Sequence, residues 1–145
     1  TEVYHEPSSV SAATLFNEPP INLLKANVKE TEVTFDDQEH FPLTQELADL
    51  PKGAYQFGIR PSHINLVPKH DDDLEVSVQV EVAEISGSET FLHVKNSHLD
   101  LVLHLSGVHI YNVDEAINIY IPIHKIFVFG TDDKLLQAPI QRAFG

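Results

Sequence analysis

At 145 residues and 42% hydrophobic content the chain can bury a core of its own, as one domain or as two small lobes. Its 22 acidic residues against 9 basic ones give a formal charge of −13, so the average surface repels nucleic acid and anionic lipid headgroups. No cysteine is present, which excludes disulfides, thiolate nucleophiles and zinc–thiolate clusters and suits a reducing compartment, and no stretch approaches the roughly 18–20 apolar residues of a membrane span.

Residues 1–22 differ in texture from the remainder of the chain. Ser8 or Ser9 can cap a short helix after Pro7, with Val10, Ala13 and Phe16 at helical spacing and Pro19-Pro20 as its stop. A start at Thr1 and the lack of any methionine read as a piece cut from a longer protein. From Leu23 onward the pattern becomes that of strands. Leu24, Ala26 and Val28 alternate with polar positions, Val33 and Phe35 repeat the rule, and Phe41-Pro42-Leu43 makes an edge-like piece. A helical or turn segment near Gln45–Leu50 ends at Pro51-Lys52-Gly53, and Ala54–Ile59 reads as a strand running into the corner at Arg60-Pro61.

Pro68–Asp73 is expected to be a solvated connection between two lobes; its three aspartates lack the spaced ligands and the glycine of an EF-hand calcium loop. Beyond it Leu74, Val76, Val78, Val80 and Val82 fall on one face and Glu75, Ser77, Gln79 and Glu81 on the other, which specifies a half-buried strand. Gly87-Ser88-Glu89 turns into Thr90–Lys95, and Asn96–Leu99 turns into Leu101, Leu103 and Leu105. Ile117, Ile119 and Ile121 alternate again, and Ile126–Phe129 closes the series. A strand about every ten residues, with turn residues between, specifies a mostly β chain of small antiparallel barrel or sandwich form.

Nine histidines invite a metal site, yet none form H-x-x-x-H or H-x-H. His93 and His104 lie in strands, where an imidazole on the solvent face or hydrogen-bonded at a rim is the ordinary expectation. No G-x-S-x-G elbow occurs, and no glycine precedes a lysine as a phosphate-binding loop demands. Two short motifs stand out instead, GIRPSH at Gly58–His63 and GSET at Gly87–Thr90. In the first, Pro61 extends the backbone at Arg60, so a guanidinium fork leaves a defined corner and calls for a carboxylate. In the second, glycine permits a tight turn and Glu89 is one partner for Arg60 or for a neighbouring subunit. The alternative is turn chemistry and one structural ion pair.

These motifs resemble, in order and spacing, the C-terminal part of the ATP-binding subunit of bacterial sugar-type ABC importers. EVYHEP at Glu2–Pro7 is similar to that family's E-[IVL]-Y-x-x-P, and Ser11–Asn22 to its F-V-A-x-F-I-G-S-P-x-M-N. GIRPSH resembles G-[IV]-R-P-E-H, VEVAEISGSETFLHV resembles V-x-V-V-E-x-L-G-x-E-T-x-V-H-V, and IFVFGTDD is similar to H-L-F-D-x-x-T-G. Two departures are Asn17–Asn22, nearer the glycerol or polyol branch than the maltose branch, and Ser62 in place of glutamate. Leu105-Ser106-Gly107 matches only the first three positions of the LSGGQ signature of ABC ATPases, because Val108-His109 come next.

The resemblance implies a TOBE-type (MOP-like) regulatory domain of OB-like antiparallel β-barrel lobes behind a short N-terminal helix. Residues 1–22 would be the end of an ATPase domain, and 23–145 would form two lobes at about 23–67 and 74–145. ATP and magnesium would belong to the missing ATPase domain, with no cofactor in this fragment. The implied partners are a second copy, the subunit's own ATPase domain, membrane permease subunits and a regulatory protein or small effector, but no nucleic acid. The implied place is the cytoplasmic face of the bacterial cell membrane. Arg60, His63, Ser88, Glu89 and Thr90 are the candidate interface or regulatory residues. A free-standing small-ligand or oxyanion-binding OB-like module, contacting its ligand through Arg60, His63 and Ser88, is the alternative.

Overall fold

A computed structural model describes residues 20–139, so the helix expected near Ser8–Phe16 and the EVYHEP motif lie outside the described residues. Ten strands succeed one another: β1 (Asn22–Val28), β2 (Glu32–Phe35), β3 (Glu39–Pro42), β4 (Gly53–Ile59), β5 (Leu74–Ser86), β6 (Glu89–Lys95), β7 (Asp100–Ser106), β8 (Ala116–Ile121), β9 (Phe127–Phe129) and β10 (Leu135–Gln137). They build two curled antiparallel sheets, and the fold is mostly β and OB-like as expected. Short 3₁₀ turns at Gln45–Leu47, Pro61–His63 and Ile123–Lys125 join some of the strands.

The chain divides into two compact units whose boundaries differ from consecutive lobes at 23–67 and 74–145. One unit holds the chain up to Ile59 and resumes at Ile123; the other is the continuous span Arg60–Pro122. Pro68–Asp73 therefore lies inside the second unit. The physical reason is the segment Phe127-Val128-Phe129, which is buried at all three positions and needs cover on both faces. It finds a partner in β4, pairing Gln56 with Phe129, Phe57 with Val128 and Gly58 with Phe127.

The first unit's sheet runs β10-β9-β4-β1-β2-β3. Alternation along β1 buries Leu24, Ala26 and Val28 and exposes Lys25. β3 is an edge strand, a position where Pro42 costs no ladder hydrogen bond to a further strand. At the β2–β3 hairpin Asp36 and Asp37 take φ of 52° and 57°, left-handed values that aspartate tolerates better than most side chains. Lys29 donates to the Asp37 carboxylate at 3.1 Å and holds that carboxyl below its usual range.

The second unit's sheet runs β7-β6-β5-β8. Leu74, Val76, Val78 and Val80 are buried on one face of β5, as the alternation requires. A bulge then interrupts the ladder: Val80 pairs with Val94 and Val82 with His93, so Glu81 is the extra residue. The insertion moves Val82 to the outer face and Ala83 to the inner one, which the even alternation through Val82 did not anticipate. Leu92, Val94, Leu101, Leu103, Ile119 and Ile121 complete the core of this unit, each fully buried.

Candidate functional site

The GIRPSH motif begins inside β4 with a packing requirement. A Cβ at Gly58 would meet Phe129 Cε2 at 2.8 Å and Ile21 Cδ1 at 2.9 Å, so only glycine fits beneath those two side chains. Ile21, Phe127 and Phe129 form one buried cluster there, with Leu23 and Leu135 packed against it. Arg60 comes next with φ −69° and ψ 141°, the extended backbone that Pro61 imposes, and caps the 3₁₀ turn Pro61–His63. The His63 amide donates to the Arg60 carbonyl at 2.9 Å, and the turn packs against β7. Arg60 is only 8% exposed, so it is part of the interior rather than an arginine standing on the surface.

The GSET motif closes the β5–β6 hairpin. Gly87, with φ 61°, takes the first of two loop positions between the paired Ser86 and Glu89, where a tight hairpin turn favours glycine. Ser88 is exposed, and its carbonyl accepts the Gly107 amide at 2.6 Å. Thr90 is fully buried. Its hydroxyl donates to the Gly107 carbonyl at 2.8 Å and accepts the His109 amide at 3.0 Å. Thr90 thus fastens the loop after β7 and acts on any partner only through that loop. Glu89 is exposed and accepts from, or pairs with, His104 Nε2 on the neighbouring strand at 2.9 Å.

His104 also stacks on Phe91, ring centroids 4.6 Å apart and planes 18° from parallel. A second pair, His93 with Glu84 at 2.5 Å, lies on the same outer face. Glu84, Phe91 and His104 stand in register across β5, β6 and β7. Both strand histidines therefore sit on the solvent face, hydrogen-bonded to carboxylates, as their alternation suggested. Among the described residues no group of three or more histidine, aspartate or glutamate side chains is arranged to hold a metal ion.

The loop from Gly107 to Val113 was not singled out by its sequence, although one signal was available: apolar residues that persist after the glycine without strand alternation. Gly107 turns with φ 86°, and His109 Nε2 lies 2.8 Å from the Ser106 carbonyl. At the far end the Asn112 amide donates to the Glu115 carboxylate at 3.0 Å and the Asp114 amide to the Val80 carbonyl at 2.7 Å. Burial, with the Glu115 charge second, raises the pKa of the Tyr111 phenol. Of the five candidate residues, Arg60 and His63 share one turn, while Ser88, Glu89 and Thr90 share one hairpin end with this loop.

Two antiparallel β units carrying GIRPSH, GSET and IFVFGTDD at these positions make an OB-like, mostly β fold. No family model matches the chain. Similar proteins include the sn-glycerol-3-phosphate import ATP-binding protein UgpC of Brucella abortus, 28% identical over 92% of this chain and 36% of that protein. The proteins of the same name from Vibrio vulnificus and Psychromonas ingrahamii are 31% and 34% identical, each over 65% of this chain and 24% of the relative. The chain is thus similar, over most of its own length, to sn-glycerol-3-phosphate import ATP-binding proteins. It spans about a third of the length of the Brucella relative.

Proposed function

We propose that the chain is the non-catalytic regulatory and dimerisation domain of the ATP-binding subunit of an ABC importer for sugars, glycerol or a related polyol or phosphate ester. The observation that carries this reading is similarity along 92% of the chain to import ATP-binding proteins of which it covers only 36%. ATP and magnesium are then held by a separate ATPase domain of the same subunit, and this chain pairs with a second copy of itself. The pairing uses the part of the chain after Leu74, where sheet edges favour self-association. Such a subunit works at the cytoplasmic face of the membrane, against permease subunits; no helix among the described residues is long and apolar enough to cross a bilayer.

The test compares the full-length subunit with a version lacking these 145 residues. The expected result is retained ATP hydrolysis, weakened dimerisation in sedimentation runs, and hydrolysis that no longer responds to regulators of transport. ATP hydrolysis by the isolated chain, after controls for contaminants, would overturn the assignment of chemistry to the other domain. Unchanged dimerisation and regulation in the truncated subunit would overturn the role given to this one.

A further inference from the structure

The loop between β7 and β8 combines two properties that rarely meet, exposure of large apolar side chains and a backbone tied down at both ends. Val108 is 56% exposed, Ile110 83% and Val113 71%. Ile85, 49% exposed, pairs with Thr90 on β6, whose hydroxyl holds Gly107 and His109. An exposed apolar patch on a fixed backbone is the usual mark of a contact surface, because little ordering entropy is left to lose on binding.

The charges around it restrict what can cover it. Asp114 and Glu115 are exposed at the end of the loop that carries the patch. Glu84 and Glu89 are exposed on the adjoining hairpin, where they pair with His93 and His104 on the opposite face of the sheet from Ile85. Neither 81–94 nor 104–124 contains a lysine or arginine. An anionic lipid surface is repelled by such a rim. A second copy meeting this patch across a two-fold axis would set acidic rim against acidic rim. Residues 1–19 bring Glu2, Glu6 and Glu18 and no lysine or arginine, and 140–145 bring a single Arg142.

We infer that Ile85, Val108, Ile110 and Val113 form a docking surface for another protein, which presents a basic amphipathic segment: an apolar stripe edged with lysine or arginine. Apolar side chains enter the patch and the cations meet the acidic rim. The inference does not depend on the importer assignment.

The test uses the 145-residue chain and a synthetic leucine–lysine amphipathic helix, with a glycine–lysine peptide of equal charge as the control. Amide shifts on titration are expected to concentrate at 84–90 and 107–116, and the control should bind about tenfold more weakly or less. The double variant Ile110→Ser with Val113→Ser, at two exposed positions whose loss removes no core contact, should weaken the leucine–lysine peptide about tenfold while leaving self-association unchanged. Ile85→Ser is an independent check from the hairpin side. Equal binding of the two peptides, shifts spread over the acidic surface, or no effect of the serine variants would overturn the inference. So would binding of phosphatidylglycerol vesicles at this patch, or loss of self-association in the double variant.

Discussion

Thr90 illustrates how one hydroxyl can organise a surface without reaching it. It is fully buried, and both its donor and its acceptor roles are spent on the loop at Gly107 and His109. Thr90→Val keeps the shape but removes the partner of the half-buried Gly107 carbonyl and His109 amide, at a cost of about 1 kcal/mol. The expected outcome is a lower denaturant midpoint and faster exchange of the His109 amide, with Thr90→Ser close to the parent. Unaltered exchange at His109 would show that the loop stands without the hydroxyl. The sequence placed Thr90 among candidate interface residues because a threonine opening a strand looks the same whether it faces a partner or the interior. Its burial depends on Leu105 across the β6–β7 pair and on a loop seventeen residues further along, neither of which leaves a mark near Gly87.

Among the elements, β5 was the most legible because five apolar residues at period two leave no other assignment. β4 and β9 were legible as strands but not as partners. Antiparallel pairing between segments some seventy residues apart rests on shape, here the fit of Phe129 and Ile21 against the empty side of Gly58. The same glycine that marks the GIRPSH motif is therefore a packing requirement of the first unit. Gly58→Ala should destabilise that unit by about 1–3 kcal/mol through overpacking. The loss should appear as faster amide exchange in β1, β4 and β9, with β5–β8 unaffected. Equal effects in both units, or none, would contradict this account. The bulge at Glu81 also escaped notice, because Val82 continues the apolar alternation in sequence while its side chain has changed faces.

At the scale of the molecule, the division into an interrupted and a continuous unit sets how the chain can be cut. A fragment comprising Arg60–Pro122 contains all four strands of its sheet and should fold alone, giving dispersed amide resonances and a cooperative thermal transition. A chain ending at Pro122 should keep that unit and lose the first, since β4 is deprived of β9 and the cluster of Ile21, Phe127 and Phe129 is dismantled. A folded first unit in the shortened chain would refute the assignment of β9 to its core. The composition bounded the size of the molecule and the periodicity named its strands, but which strands share a core was decided by long-range burial of the FVF segment. The interruption matters while the protein is being made. Strands β1–β4 leave the ribosome with the free edge of β4 open, and the whole of Arg60–Pro122 must be translated before Phe127 arrives to cover it. At roughly 5–20 residues per second that wait lasts about 3–12 s, so the second unit can be complete before the first is closed, and nascent chains stalled near Pro122 are the ones expected to recruit chaperones.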